Sequence, residues 1–251
     1  GLAASLRTAS DIQAAMLPGD FATLGAVAGV EIHAKLLPAR EVGGDLYDVF
    51  PLSDGHLCLL VGDVSDKGVP AALLMAMTQT AIRAAAERSV EGGGPPGPSE
   101  ILAEANRMLC RNNPQAMFVT LFLAIWDASN HRLRYANAGH NPPRRYRTGE
   151  SWEPLSVQAN IALGVLPDQA FGTEETRLDA GEALLLYTDG ITEAMNPAGA
   201  AYGVRRLDAA LAASDRRHPS RVVNNVLADA ARFSDGAPQS DDMTCLAMVV
   251  A

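Results

Sequence analysis

The chain has 251 residues, of which 48% are hydrophobic and 20% are charged, and its formal net charge at pH 7 is −9. This length and composition suit a globular protein with one large domain or two small ones. The negative net charge argues against nucleic acid or an anionic membrane as the main partner. No run reaches the ~18 continuous apolar residues of a membrane span, so we expect no membrane contact by this domain.

The three cysteines lie far apart in apolar segments, a pattern typical of buried thiols in a reducing cytoplasm. We therefore expect a cytoplasmic domain, whether or not the full-length protein has a membrane anchor. The first residue is glycine rather than methionine, and we expect the chain to be part of a longer protein.

Turn and helix signals divide the first half of the chain. Pro18-Gly19 ends an N-terminal helix, and Pro70 opens a longer one. The Gly- and Pro-rich residues 91–99 predict a flexible connector, with Ser99 as the N-cap of the next helix. The predicted elements are a helix at 3–17, a strand at 30–36, hairpin strands at 45–52 and 56–63, and helices at 70–88 and 100–109.

The second half of the chain contains more strands and a pair of amphipathic helices. Its predicted elements are strands at 117–127, 131–139, 171–178 and 182–189, helices at 203–213 and 219–233, and a last strand at 243–250. Strands cluster as hairpins and helices come in pairs, which favours packed sheets with helices outside over alternating βαβ units. The predicted fold class is therefore α+β.

Acidic residues recur where apolar strands end or begin. If Ser53-Asp54-Gly55 forms a three-residue hairpin loop with Gly55 left-handed, residue 52 pairs with residue 56. Asp45 and Asp63 then lie opposite one another with Cβ atoms ~5 Å apart, whereas a two-residue loop would place them on different faces. The complete set at strand ends is Asp45, Asp63, Asp189, Asp241 and Asp242.

These carboxylates form a set of hard oxygen ligands that suits Mg²⁺, Mn²⁺ or Ca²⁺ better than Zn²⁺. A single aspartate at a strand end more often caps a turn, but the paired register and the apolar flanks together favour a metal site. A calcium-binding loop beginning at Asp63 would need glutamate at its twelfth position, where the chain has Leu74. His140 lies in a conspicuous turn, and we interpret it as structural.

Six motifs together resemble the bacterial PP2C-like serine phosphatases of the sporulation and stress-response regulator (SpoIIE/RsbU) type. The resemblance extends in order over residues 11–250 and implies an α-β-β-α sandwich, with two antiparallel sheets flanked by helices. It also implies two Mn²⁺ or Mg²⁺ ions at one sheet edge. The motifs are PAREVGGDLYDVF, VGDVSDKGVPAALLMA, FVTLFLAIWD, YANAGHNPP, YTDGITEA and DDMT.

The resemblance assigns roles residue by residue. Asp63 is similar to the bridging ligand, and Arg40 stands where eukaryotic relatives have a phosphate-binding arginine; an ordinary solvated charge is the alternative for Arg40. Ser65 replaces a histidine that is a candidate general acid in those relatives, so protonation of the leaving group has no assigned residue. The implied metal ligands are Asp45, Asp63, the Val64 carbonyl, Asp189, Asp241 and Asp242, the last matched less closely.

The function implied by the resemblance is hydrolysis of phosphoserine or phosphothreonine on a phosphorylated STAS-domain partner (an anti-sigma factor antagonist) by a metal-activated water. Two alternatives stay open: a catalytically idle partner-binding module with the same fold, and a hydrolase of nucleotides or small phosphates. The implied organisation is a linker helix at 1–20 from an upstream regulatory region, followed by the phosphatase domain at 21–251. The helix either mediates a homodimer or packs on its own domain through Ile12, Met16 and Leu17.

Overall fold

The fold is that of a computed structural model, which describes residues 2–52, 55–91, 97–111, 113 and 115–251. Its helices are α1 Leu2–Met16, α2 Phe21–Ala28, α3 Val69–Glu91, α4 Pro98–Arg111, α5 Asp189–Thr192, α6 Gly203–Ala212 and α7 Pro219–Ser234. Its strands are β1 Val30–Leu37, β2 Leu46–Pro51, β3 His56–Val64, β4 Val119–Asp127, β5 Arg132–Ala138, β6 Arg144–Tyr146, β7 Trp152–Pro154, β8 Glu174–Arg177, β9 Ala183–Tyr187 and β10 Met243–Val250.

The strands form two five-stranded sheets with antiparallel neighbours. One sheet has the order β1-β10-β9-β6-β7, and the other has the order β2-β3-β4-β5-β8. Large apolar side chains such as Phe122 and Trp126 fill the space between the sheets. Helices α3 and α4 pack on the outer face of the β2–β8 sheet, whereas α6 and α7 pack on the outer face of the other. The expected α-β-β-α sandwich is confirmed.

The β2–β3 hairpin has the register that the three-residue loop predicts. Leu46 pairs with Gly62, Leu52 N donates to His56 O at 2.8 Å, and Gly55 has a left-handed φ of 77°. Extending this register by one residue places Asp45 opposite Asp63. The other two loop residues lie outside the described part of the chain.

Two short strands and two short helices, α2 and α5, were not predicted from the sequence. Helix α2 has only eight residues, and the Asp20 side chain at its N-cap, which accepts a hydrogen bond from Thr23 N at 3.2 Å, is its one local signal. Strands β6 and β7 have three residues each, too few for a periodic pattern to emerge. Such elements are stabilised by their neighbours rather than by their own sequence.

The connector before α4 differs in part from its prediction. Ser99 is not an N-cap, because the helix already begins at Pro98; instead, its hydroxyl accepts a hydrogen bond from Thr173 Oγ1 at 2.8 Å. Helix α3 extends to Glu91, three residues beyond the predicted end. Residues 92–96 of the predicted connector lie outside the described residues.

Helix α3 is also the one described segment with the length and hydropathy of a membrane span, over Val69–Val90, and half of it is buried. Its apolar face packs against the β2–β8 sheet and α4. This packing is typical of a core helix in a sandwich.

Helix α1 contacts the rest of the domain at two points. The Gln13 amide makes two hydrogen bonds to the backbone of Gly43, donating to its carbonyl at 2.7 Å and accepting from its N–H at 3.0 Å. Gln79 of α3 donates to the carbonyl of Met16 at 2.9 Å. Ile12, by contrast, is 60% exposed. The helix therefore packs on its own domain through its C-terminal half while Ile12 stays outside that contact.

Candidate metal centre

Acidic residues from both sheets meet at one edge of the sandwich. Asp45 directly precedes β2 and Asp63 lies near the end of β3, both in the same sheet. Asp189 follows β9 as the first residue of α5, and Asp241 precedes β10, both in the other sheet. The loop at 38–45 connects the two sheets across this edge.

Asp45 is the most deeply buried of these carboxylates, with 1% of its surface exposed. Its Oδ2 accepts hydrogen bonds from the hydroxyls of Thr188 at 2.7 Å and Thr244 at 2.6 Å, both of which belong to the opposite sheet. Burial, followed by the charge of Asp63, raises the pKa of Asp45 well above its ordinary value. The two threonine hydrogen bonds act in the other direction.

Asp63 lies where the negative charges of the site converge. Burial, followed by the charges of Asp189 and Asp241, raises its pKa to about 7, while a hydrogen bond with Asp45 opposes the rise. The pKa of Asp189 is also raised, by burial and then by Glu193 and Asp241. Raised pKa values at several neighbouring carboxyl groups indicate a site with an excess of negative charge.

Asp241 has a cationic partner. Its Oδ2 lies 2.9 Å from Lys67 Nζ, and that ammonium also donates to the carbonyl of Ser240 at 2.5 Å. Among the described residues, Lys67 is the only lysine or arginine that forms an ion pair with any of the predicted ligands. The pair is exposed to solvent, so its free energy is small.

Asp242 shapes the loop between the sheets. Its Oδ1 accepts from Ala39 N and its Oδ2 from Gly44 N, each at 2.8 Å. A Cβ atom at Gly43 would collide with this carboxylate, and one at Gly190 would collide with the Asp242 carbonyl. Both carboxylate oxygens are thus engaged with the backbone, and a ligand role for Asp242 stays a prediction.

The other predicted site residues lie around the same edge. Val64 ends β3, and its N–H donates to Gly44 O at 3.3 Å. Ser65 Oγ accepts from Phe118 N at 2.8 Å, so this hydroxyl anchors the start of β4. Arg40 is exposed in the connecting loop and forms no ion pair with another described residue. Its phosphate-binding role also stays a prediction.

His140 supports the site from within the core. One ring nitrogen, Nδ1, lies 2.9 Å from Thr120 Oγ1, and Nε2 lies 3.0 Å from the carbonyl of Tyr187. Thr120 is the partner of Asp63 in the β3–β4 register. Complete burial lowers the pKa of His140 to about 4, so the imidazole is neutral at pH 7, and its contacts fit a structural role.

The donor chemistry fits hard divalent cations. All of the converging side chains offer carboxylate oxygens, the ligands that Mg²⁺ and Mn²⁺ prefer. The raised pKa values of Asp45, Asp63 and Asp189 show that a nearby positive charge would stabilise their ionised forms. No three acidic, histidine or cysteine side chains of the described residues form a ready-made metal site. In this structure Asp241 pairs with Lys67, and Asp63 is hydrogen-bonded to Asp45.

Sequence reasoning missed two charged residues of this region. Glu193 follows Asp189 by one helical turn, and Lys67 follows Asp63 by four positions in the adjoining loop. The first would have been found if Asp189 had been interpreted as a helix start, since residues at i and i+4 share a helix face. No local pattern indicates Lys67, because its partner Asp241 is distant in the sequence.

Comparisons with known proteins agree with this geometry. The family model described as Stage II sporulation protein E (SpoIIE) matches residues 53–251. Protein IcfG of Synechocystis sp. is 30% identical over 239 residues, covering 87% of this chain and 37% of IcfG. Phosphoserine phosphatase RsbU of Bacillus subtilis is 30% identical over 164 residues, covering 65% of this chain and 47% of RsbU. The chain thus spans less than half the length of these relatives.

Among solved structures, the SiaA-PP2C domain of Pseudomonas aeruginosa superimposes with a TM-score of 0.83 at 28% identity. The match covers 100% of this chain and 97% of that domain. The PP2C-like fold expected from the sequence is therefore confirmed.

Proposed function

Because the chain belongs to the SpoIIE family of PP2C-type serine phosphatases, we propose that it hydrolyses phosphoserine or phosphothreonine in a protein substrate. Phosphatases of this family use divalent metals, and Mn²⁺ or Mg²⁺ is the proposed cofactor, as two ions. The observation that carries the proposal is the convergence of Asp45, Asp63, Asp189 and Asp241 from two sheets, with the pKa of Asp63 raised to about 7.

When bound, the ions would supply a water of lowered pKa and would neutralise phosphate oxygens. In this proposal Asp63 would hold the ions together with Asp45, Asp189 and Asp241, because its carboxyl group lies within the electrostatic influence of Asp189 and Asp241 of the opposite sheet and is hydrogen-bonded to Asp45 of its own sheet. Asp45 is held in one orientation by its two threonine hydrogen bonds. Arg40, exposed in the loop beside Asp45, binds the phosphate oxygens of the substrate. Ser65 holds the start of β4 and thereby fixes the position of β3.

The proposed partner is a phosphorylated STAS-domain protein in the cytoplasm. RsbU-type relatives act in partner-switching systems, and the acidic chain has no overall charge attraction for nucleic acid. A panel of purified phosphorylated STAS-domain proteins, each tested for phosphate release, identifies the substrate.

The test of the activity compares Asp63→Asn with Asp66→Asn, which removes the same charge from an exposed position in the adjoining loop. Asp66 has a left-handed φ of 84°, which asparagine tolerates. Substrates are para-nitrophenyl phosphate and a phosphoserine peptide, with Mn²⁺, Mg²⁺ or EDTA. Asp63→Asn is expected to lower kcat/KM by about 100-fold or more, since even residues outside the ligand shell cost 10–100-fold.

The control Asp66→Asn is expected to keep its rate within about threefold, as is usual for a solvated charge outside the site. Hydrolysis that persists in EDTA, or that is unchanged in Asp63→Asn, contradicts the two-metal proposal. A folded wild-type protein that binds a phosphorylated partner but releases no phosphate supports the idle binding module instead.

A further inference from the structure

A cleft of about 580 Å³ opens beside the metal centre, between the C-terminal end of α4 and the loop at 163–168. Arg107 and Arg111 line it from α4, and Val165 lines it from the loop. We call it the arginine cleft. None of the residues that line it is among those assigned to metal or phosphate binding.

The loop of the arginine cleft begins close to Val64, at the sheet edge that carries the candidate metal centre. Val64 pairs with Val119 in the β3–β4 ladder, and Val119 forms a β-bridge with Leu163 at the start of the cleft loop. Neighbouring strands are about 4.8 Å apart, so the Leu163 backbone lies about 10 Å from Val64. An extended peptide covers that distance with about three residues.

The walls of the cleft are fixed by partly buried hydrogen bonds. The Asn106 side chain accepts from Gly164 N at 2.8 Å and donates to Leu166 O at 2.7 Å. Asn113 donates to Gly164 O at 3.1 Å and accepts from Met117 N at 2.9 Å. These bonds hold the cleft loop against α4 and β4, so the cleft is a formed feature of the fold.

The surface of the cleft combines positive charge with exposed apolar groups. Val165, which lines the cleft, is 47% exposed, and the neighbouring Leu166 and Phe118, which do not line it, are 48% and 42% exposed. Arg107 and Arg111 are exposed too, and neither forms an ion pair within the described residues. An apolar patch with polar edges is typical of a protein interaction site. Asp168 of the loop also lines the cleft, so its lining side chains carry two positive charges and one negative charge in a chain with a net charge of −9.

We propose that the arginine cleft docks an acidic, apolar-containing segment of the phosphoprotein substrate, a step that rests on the proposed phosphatase activity. Carboxylates on that segment pair with the guanidinium groups of Arg107 and Arg111, which favour planar oxygen pairs. An apolar side chain of the segment packs on Val165 and Leu166. Because the cleft loop begins about 10 Å from Val64, the acidic residues of the segment lie at least about three positions from the phosphoserine.

The experiment measures binding directly, by fluorescence anisotropy in EDTA. The probe is a labelled twelve-residue phosphoserine peptide with aspartates three and four positions away and one leucine; a second peptide has lysines in place of the aspartates. Wild type is expected to bind the acidic peptide at least tenfold more tightly than the basic one. The variant Arg107→Glu/Arg111→Glu is expected to lose that preference.

The matched control is Arg205→Glu/Arg217→Glu, which makes the same charge change at exposed positions on the α6–α7 side. It is expected to keep the Kd for the acidic peptide within twofold, and thermal unfolding of both variants checks their folding. An equal loss in the control, or an unchanged Kd in Arg107→Glu/Arg111→Glu, overturns the proposal. So does charge-dependent binding to phosphatidylserine vesicles without binding to the acidic peptide.

Binding in EDTA separates this proposal from the proposed activity. A wild-type protein that prefers the acidic peptide but releases no phosphate with Mn²⁺ or Mg²⁺ supports the docking cleft and contradicts the phosphatase. A wild-type protein that hydrolyses both phosphopeptides with equal KM contradicts the docking cleft and supports the phosphatase.

Discussion

At the scale of single residues, Lys67 competes with any cation for Asp241. Its ammonium lies 2.9 Å from Asp241 Oδ2, the carboxylate that the sequence assigns to a metal. Replacing Lys67 by methionine removes the competing charge and keeps the length of the side chain. We expect Lys67→Met to bind Mn²⁺ about two- to fivefold more tightly, because exposed ion pairs contribute only up to about 1 kcal/mol.

Electron paramagnetic resonance of free Mn²⁺ measures this affinity. The control is Lys35→Met, which removes an exposed lysine from β1. Equal affinity in Lys67→Met and wild type would mean that Asp241 is not a ligand.

The buried imidazole of His140 makes stability depend on pH. Its pKa is about 4 in the folded protein and about 6.5 in an unfolded chain. The unfolded state therefore binds more protons between these values, and the free energy of unfolding falls as the pH falls from about 6.5 to 4. Over this whole pH range, the free energy of unfolding falls by about 3 kcal/mol because of His140. In His140→Gln, which cannot gain a proton there, this dependence is expected to shrink.

Urea unfolding at several pH values between 7 and 4.5 measures the effect. His140→Gln is expected to be less stable than wild type at pH 7, because its side chain cannot reproduce both ring contacts, but to show a smaller slope with pH. The control His218→Gln, at a half-exposed imidazole, is expected to keep the wild-type slope. A wild-type slope in His140→Gln would contradict a neutral His140.

At the scale of elements, α1 holds the loop that carries Asp45. The Gln13 side chain makes both of its hydrogen bonds to Gly43, two residues before Asp45. We expect Gln13→Ala to lose about 1–2 kcal/mol of stability, since each hydrogen bond contributes about 0.5–1.5 kcal/mol. Amide hydrogen exchange at Gly44 and Asp45 is expected to become faster, because the loop opens more often.

Thr8→Ala is the matched control on the same helix. The Thr8 hydroxyl bonds only to Ala4 O of its own helix and is exposed. If both variants exchange at the wild-type rate, the Gln13 contact does not control the loop.

Local sequence patterns predicted those helices and strands whose turn residues or hydrophobic periodicity are visible within the segment itself. The β2–β3 register followed from a loop length and one left-handed Gly55, because antiparallel pairing propagates a single fixed pair along both strands. Helix α2 could not be predicted in the same way: its packing depends on Gly25, where a Cβ atom would collide with the backbone carbonyl of Val30. That constraint comes from contact with β1 and has no periodic signature.

The residues of the candidate metal centre, like the secondary-structure elements, were predicted only in part. The carboxylates at strand ends were visible in the sequence, and the structure brings Asp45, Asp63, Asp189 and Asp241 together at one edge. The backbone hydrogen bonds of Asp242 could not be predicted, because they join residues about 200 positions apart. Contacts at such separation depend on strand order, which hydrophobic periodicity does not encode.

At the scale of the whole molecule, α1 and α3 leave an apolar strip exposed. Ile12 is 60% exposed and Leu73 is 63% exposed, on either side of a cleft of about 200 Å³. Burial of such a strip against a second copy of the chain would contribute about 25 cal/mol per Å² of apolar area. We therefore propose a homodimer through the exposed strip of α1 and α3, while the C-terminal half of α1 stays packed on its own domain.

Light scattering compares residues 1–251 with a chain that starts at Phe21, alongside Leu73→Glu in the full chain. We expect a dimer for the first and monomers for the other two. The phosphatase rate is expected to change with the loss of α1, because Gln13 leaves the Asp45 loop. Monomers of equal activity in every case would mean that α1 only packs on its own domain.

The centre takes two carboxylates from each sheet, and this division has a mechanical consequence. Successive residues of a strand are about 3.4 Å apart, close to the ~3.5–4 Å between the ions of a two-metal site. Sliding one sheet past the other by one residue would displace half of the ligands by that whole distance. Resistance to this shear comes from side chains such as Trp126 and Phe122 between the sheets. For the proposed two-metal centre we therefore expect the stiffness of this core to matter, so that a substitution that softens it weakens metal retention before it unfolds the protein.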